Sequence, residues 1–497
     1  MGRCSLLASL NAPRGEWSAG AGAKAARKES AAAKKGSATR GFDRCAFAEE
    51  GTFYGFLAAL AWAPLWYGSN GLLPWGINAL LFPGLAFIYE TLLLLTGKRH
   101  PVGIRNLALP AGLFAAVVLW ILLQNATFLP AALAHPIWKM AASALGHPVA
   151  ASMSVDRDWT GLALLRLLTV ASAFWLALQL CREDRRALLL AKWVALLAIA
   201  YAAYGLIAVK AGWTPFEGAR VSSTFVDRDS FATYAGLGLL AIAGLVLRFY
   251  QENAASCGNW RLSAFFFLDA TGKGGALLFL GGFLVLAALL LTGSRGGVIA
   301  TGLGLLLEGA LLARGSRRRG ERARTVLFFG SFFIAATALL FGGAFFGSIE
   351  KRGVYDASRM AVYILTLRSI RDLPWLGFGY GTFAEVFPMY RDRSLSVLGI
   401  WTQAHDTYLE IFQGLGLLFG SLLILAVFLL VLHCLEGARK RQATVLAPAL
   451  AAGAALLVAS HAFVDFSLQI EAVALSFASL LGAGVAQSQS SQLKLED

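Results

Sequence analysis

Leu291-Thr-Gly-Ser-Arg-Gly-Gly-Val298 joins two long apolar stretches, one beginning near Ala276 and the other at Val298, that carry almost no other charge. A cation so close to hydrocarbon is costly, about 2.5–3.5 kcal/mol at a helix centre on insertion scales, and such groups usually face an aqueous cavity or an anionic partner. Gly293, Gly296 and Gly297 mark a tight turn between two helices, not the middle of one, which lowers that cost. A snorkelling arginine at a turn is the plainer reading of Arg295. Either way, a hairpin of two membrane-crossing helices is the unit from which the fold is read.

The same unit recurs along the chain. Of 497 residues, 57% are hydrophobic and 14% charged, and the mean hydropathy is +0.63, outside the range of ordinary soluble domains. Segments near the roughly 20 residues that cross a bilayer begin around Phe53, Ile77, Leu107, Thr160, Ala187, Phe231, Ala276, Val298, Val326, Thr407, Val445 and Leu468. The expected fold is an all-α polytopic membrane protein of about twelve spans.

Charge orients it. Every second connection is basic: Lys98, Arg99 and Arg105; Arg182, Arg185 and Arg186; Arg248, Arg261 and Lys273; Arg314 to Arg324; and Arg439, Lys440 and Arg441. Short cytoplasmic loops collect Lys and Arg, so both termini are expected in the cytoplasm, and the net charge of +14 reflects topology. The basic residues are scattered over separate loops without interleaved aromatics, so no nucleic-acid partner is expected. Cys4, Cys45, Cys181, Cys257 and Cys434 all fall on the cytoplasmic side, where no disulfide is expected, and no Cys/His spacing suggests a metal site.

The expected organisation is a disordered basic cytoplasmic tail over 1–50, spans one to nine over 51–347, a long loop opposite the cytoplasm over 348–405, spans ten to twelve over 406–486, and a short tail over 487–497. No signal peptide precedes the first span. The loop reads as ordered. Asp356 or Ser358 can cap a helix whose apolar stripe is Met360, Tyr363, Ile364, Leu367 and Ile370 and which Pro374 ends. Gly377, Gly379 and Gly381 then make a turn, and Phe383, Val386, Phe387 and Tyr390 give a second short amphipathic helix. Such helices lie on a membrane interface or cap a cavity.

Arginines should be sparse opposite the cytoplasm, so those present are informative. They are Arg220, Arg228, Arg295, Arg352, Arg359, Arg368, Arg371, Arg391 and Arg393. A ring of guanidiniums from separate loops suits a phosphate or diphosphate; the alternative is salt bridging with Asp227, Asp229, Asp356, Asp372 and Asp392. His405 precedes the tenth span, where an imidazole can take a proton from a hydroxyl or hold a phosphate oxygen. It also suits a plain helix start, with Asp406 or Thr407 as the cap. His461 and Asp465, four residues apart, mark the last hairpin on this face, or are a simple turn contact. No nucleophile-elbow, zinc or soluble nucleotide motif is present.

The order Arg220…Thr224-Phe-Val-Asp-Arg-Asp-Ser-Phe-Ala232, Gly293-Ser-Arg-Gly-Gly297, Ser358-Arg359, Pro374-Trp-Leu-Gly-Phe-Gly-Tyr-Gly-Thr-Phe383, Ala404-His-Asp-Thr-Tyr-Leu-Glu410 and His461…Val464-Asp-Phe466 resembles the O-antigen ligase and polymerase superfamily, from about residue 200 to 485. The resemblance implies a GT-C-like, metal-independent glycosyltransferase of the bacterial inner membrane that needs no cofactor. Its donor would be an undecaprenyl-diphosphate-linked glycan in the periplasm, and its acceptor a lipid A-core or carrier-linked glycan. Carried over by motif, Arg220, Arg295 and His405 are the catalytic candidates, with Arg228, Arg359, Asp406, His461 and Asp465 contacting substrate. Where the family usually has Asn, this chain has Asp227 and Asp229, and two carboxylates beside an anion site require an arginine to neutralise them. The competing class is a transporter of about twelve spans. Against it, the halves show no similarity, no span pair is broken around midplane charges, and the charged residues sit at one surface.

Overall fold

The structure, a computed structural model, describes residues 44–213, 220–253, 277–314, 357–396, 399–440 and 445–489. The N-terminal tail, the span expected from Val326, Arg352, Asp356, the arginine-rich loop after Arg314 and the last residues of the chain lie outside these. The chain divides into two units, Met1–Glu50 and Gly51–Asp497; of the first, only the opening turns of a helix are described.

Among the described residues all regular structure is helical. In chain order the helices are α1 Arg44–Trp62, α2 Leu72–Thr96, α3 Ala108–Asn125, α4 Ile137–Leu145, α5 Arg157–Leu180, α6 Asp184–Ala211 and α7 Arg228–Asn253. There follow α8 Leu277–Leu291 and α9 Arg295–Arg314. The last five are α10 Ala357–Asp372, α11 Phe383–Tyr390, α12 Thr407–Lys440, α13 Leu446–His461 and α14 Glu471–Gln489. Of the twelve expected span starts, all but Val326 fall within or beside one of these helices. Seven are long and apolar enough to cross a membrane, while α8 and α13 are apolar but shorter.

The core is built from small residues. Helix α7 is the most enclosed of the seven, held by α6, α9 and α13, while α14 packs on α5 and α13, and α3 on α12. Lipid tails are as apolar as leucine, so close backbone approach is what drives such helices together. At the α9–α13 crossing, a Cβ on Gly304 would meet the Gly453 carbonyl oxygen at 2.8 Å, and one on Gly453 would meet that of Gly304 at 2.9 Å. Ala449, Ala451, Ala452 and Ala454 of α13 are also fully buried, Ala451 against Gly484 of α14.

The loop chain after α10 plugs a break in α12. Gly416 has φ 78° and ψ 168°, so the helix is interrupted there, and unsatisfied backbone at membrane depth is tolerated only when other protein groups pair with it. The turn Pro374–Tyr380 supplies those groups. Phe378 N donates to Gln413 O at 2.9 Å, Gly379 N to Gly414 O at 3.1 Å, and Leu417 N to Pro374 O at 2.7 Å. Gln124 of α3 adds Nε2 bonds to Leu376 O and Gly414 O at 2.7 and 2.8 Å. The tenth expected span is therefore a short helical piece from Thr407, a break, and a longer apolar piece beyond Gly416.

Both loop helices are present, but α10 turns a different face inward from the stripe read in the sequence. Val362, Leu365, Thr366, Ser369 and Ile370 are buried, whereas Met360, Ile364 and Leu367 are 38, 46 and 53% exposed. The reason is polar packing: Ser369 Oγ accepts from Gln413 Nε2 of α12 at 2.9 Å, and Thr366 and Ser369 satisfy their own hydroxyls on helix carbonyls. Two hydroxyl residues thus sit inside, and Met360, Ile364 and Leu367 of the apolar stripe are left outside while Ile370 is buried. In α11, Phe383, Val386 and Phe387 are buried as expected.

Candidate functional site

The start of α7 collects three functions in consecutive residues. Asp227 caps the helix, its Oδ2 accepting from Ser230 N at 2.9 Å and Ser230 Oγ at 3.2 Å. Burial first, then the neighbouring Asp465 and Asp229, push its carboxyl up to about 7, against the pull of the Ser230 bond and Arg228. Asp229 meets Arg359 Nη2 at 3.3 Å and Arg228 Nη2 at 3.8 Å. Arg228 Nη1 donates in addition to Thr292 O and Gly293 O at 3.0 and 3.2 Å, the carbonyls left unpaired just past α8. The two carboxylates that depart from the family pattern are therefore accommodated: one is a helix cap and the other holds two guanidiniums.

Three arginines gather at the neighbouring turn. A Cβ on Gly293 would lie 3.3 Å from Arg228 Nη1 and 3.8 Å from Arg220 Nε, and Arg295 is the first residue of α9. Ser294 caps that helix, its Oγ accepting from Gly297 N at 3.2 Å. Guanidiniums at a helix N-terminus add to the partial positive charge already there, an arrangement suited to an anion.

His405 stands beside the third carboxylate, Asp465. Its backbone is left-handed, φ 56°, a conformation an L-residue keeps only when its surroundings hold it. Tyr363 OH donates to His405 O at 2.9 Å, and the ring is set between Trp401 and Phe466, at centroid distances of 5.7 and 4.9 Å. Nδ1 faces Asp465 Oδ1 at 3.9 Å, and neither atom has a hydrogen-bond partner. Asp406 is the helix cap, its Oδ1 accepting from Tyr408 N and Leu409 N at 2.9 and 3.0 Å. Its carboxyl is raised by burial against those two bonds. His461 is buried, with Nδ1 2.6 Å from Thr233 Oγ1 and its ring against Gly296.

All eight candidate residues thus meet at one end of the bundle, drawn from the turn before α7, the α8–α9 hairpin, α10, the start of α12 and the end of α13. Arg368 and Arg391 of the expected ring do not join them. Arg368 pairs with Asp392 at 3.1 Å on the exposed side, and Arg391 Nη1 donates to Gly399 O at 3.0 Å. Oxygens of Asp227, Asp229 and Asp465 come within 4.8 Å of one another, a donor set a cation can use, but Arg228 and Arg359 already stand on Asp229.

Sequence reading passed over Thr233 and Ser467, which link His461 to Asp465, and a second polar cluster. In that cluster Arg166 Nε lies 3.5 Å from Glu471 Oε1, Asn78 Nδ2 donates to Glu471 Oε2 at 2.6 Å, and the Arg166 guanidinium lies 4.1 Å over the Trp75 ring. The signal was available: Arg166 and Glu471 are charges inside apolar spans, as anomalous there as Arg295.

Membrane-length apolar helices with a buried polar site at one end define a multi-pass membrane protein. Residues 280–424 match the sequence model of the O-antigen ligase family, the family whose motif order the chain resembles. The match includes Arg295, Arg359, the glycine-rich turn and His405, and it stops short of Arg220, Asp227, Asp229, His461 and Asp465. No curated protein matches the chain.

Proposed function

We propose that the chain is an inverting, metal-independent glycosyltransferase of the bacterial inner membrane, moving a glycan from an undecaprenyl-diphosphate carrier to a sugar hydroxyl on the periplasmic side. The observation that carries this reading is that one carboxylate cluster, Asp227, Asp229 and Asp465, is met by both groups. Arg220, Arg228 and Arg295 cluster around Gly293 and the start of α9, with Arg228 on Asp229, and His405 faces Asp465.

In this reading Arg220 and Arg295 hold the diphosphate, and their charge stabilises the anion that forms as the glycosidic C–O bond breaks. The acceptor oxygen attacks the anomeric carbon from the opposite face and gives its proton to His405 Nε2, while the bond electrons leave with the diphosphate. Asp465 orients the ring and stabilises the imidazolium, as a carboxylate does in hydrolase triads. Arg228, Arg359 and Asp406 keep this geometry through the contacts above. The described part of the loop, 357–396 and 399–405, covers the site in this reading and excludes water that would hydrolyse the donor. The orientation follows the basic loops, with both termini cytoplasmic.

The test is transfer by the purified protein in detergent with EDTA, offered a carrier-linked glycan and, separately, a lipid A-core acceptor or a second carrier-linked repeat. A ladder on the carrier identifies a polymerase, and a discrete shift of the core acceptor a ligase. No transfer to either from several donors, with accumulation of the donor in vesicles instead, contradicts the proposal.

A further inference from the structure

His405 and Asp465 are not an isolated pair. Ser467 Oγ donates to Asp465 Oδ2, and Thr233 Oγ1 donates to Ser467 Oγ at 2.8 Å. A hydroxyl has one proton to give. With Asp465 as a carboxylate acceptor, Ser467 gives its proton to Asp465 and Thr233 gives its own to Ser467, which leaves the imidazole as donor in the 2.6 Å contact with His461 Nδ1. That direction fixes the tautomer of His461 with its proton on Nδ1. The far end is seated as firmly: a Cβ on Gly296 would lie 3.0 Å from His461 Nε2 and 2.9 Å from Cδ2, so the ring lies directly on the backbone of α9, one residue from Arg295. Thr233, Asp465, His461 and Ser467 are all buried, none more than 4% exposed.

We propose that Thr233, Ser467 and His461 form a one-way hydrogen-bond chain that seats Asp465 facing His405 Nδ1–H, and so keeps the Nε2 lone pair of His405 available. The three are positioning residues. They act through Asp465 on an imidazole they do not touch, and they tie its orientation to the helix that carries Arg295. With Oδ2 of Asp465 engaged by Ser467, Oδ1 is the oxygen that faces His405, 3.9 Å from Nδ1. Polar partners one step behind a reacting histidine typically change activity by about 10–100-fold when removed. The inference rests on the proposed role of His405 as base, but it also has a consequence that needs no substrate.

Diethyl pyrocarbonate acylates an unprotonated imidazole nitrogen, and the extent at His405 is read by mass spectrometry with the exposed His100 and His147 as internal references. Compare the full-length protein with Thr233→Val, which removes the hydroxyl at constant shape, Thr233→Ser, which restores it, and Ser467→Ala, each at matched melting temperature. The expected result is a several-fold loss of labelling at His405 in Thr233→Val and Ser467→Ala, with recovery in Thr233→Ser. In the transfer assay kcat should fall by about 10–100-fold in the first two, with little change in KM for the donor. Equal labelling of His405 in all four proteins overturns the inference. A wild-type protein that moves no glycan, yet shows the labelling pattern, overturns the proposed reaction and leaves the chain standing.

Discussion

Gly377→Ala tests how the loop is fixed to the bundle. Gly377 has φ 68°, and a methyl there would fall 2.3 Å from Gly414 O and 2.6 Å from Gly416 N. Ordinary contact needs about another ångström, and both neighbours are backbone, so the turn must lift off α12. The left-handed conformation costs an L-residue about 1–2 kcal/mol. Lifting the turn also breaks bonds it makes to the interrupted helix, of which Phe378 N to Gln413 O and Gly379 N to Gly414 O lie nearest. At about 1 kcal/mol each, the sum is about 3–4 kcal/mol. Thermal unfolding in detergent, followed beside limited proteolysis within 373–382, reads the loss. Glycan transfer should fall with it, since His405 lies at the end of the same loop. A melting temperature and proteolysis pattern equal to wild type would refute the argument that this turn repairs the break at Gly416.

Asp227 makes stability pH-dependent. Its carboxyl sits near 7, raised from the ordinary 3.8, so between those values the folded protein holds a proton that the unfolded chain has released. Its stabilising contribution is full below about 4 and is lost as pH rises through about 7. Asp227→Asn still caps α7 and removes the titration, so its melting temperature should be flatter between pH 5 and 9 and higher than wild type above 7; parallel curves would contradict this. Arg359→Gln removes the ion pair to Asp229 at 3.3 Å and the bond to Val464 O at 2.7 Å. With Asp229 then keeping Arg228 and Ser294 but not Arg359, a destabilisation of about 1–3 kcal/mol is expected, together with faster proteolysis of α10. Unchanged proteolysis would mean that α10 is held by Val362 and Leu365 instead.

Hydropathy made the helices legible, because a span must satisfy its own backbone and has little freedom beyond length and apolarity. Motif order likewise brought eight residues from distant segments to one place, since each sits at a helix end on the same side of the bundle. What failed to show was anything decided by tertiary packing. The inward face of α10 combines Val362 and Leu365, packed with Phe383 and Phe387, with a serine that meets Gln413, and leaves Met360, Ile364 and Leu367 of its apolar stripe outside. The break at Gly416 is invisible in an apolar run, because it is compensated by a turn some 40 residues earlier. Thr233 and Ser467 read as ordinary small polar residues near span ends, and only the placement of His461 against Gly296 gives them a role. Asp227 and Asp229 stood out in the sequence as misplaced negative charge; the helix cap and the two guanidiniums that explain them needed coordinates.

The most direct test of the account is glycan transfer from an undecaprenyl-diphosphate donor, with EDTA present, by wild type, Arg295→Lys, Arg295→Ala and His405→Ala, each checked for the wild-type melting temperature. Arg295→Lys keeps the charge but loses the planar two-pronged contact. The account predicts transfer by wild type, a large loss in Arg295→Lys, and loss to background in the two alanine variants. Wild-type rates in both Arg295→Ala and His405→Ala would contradict it.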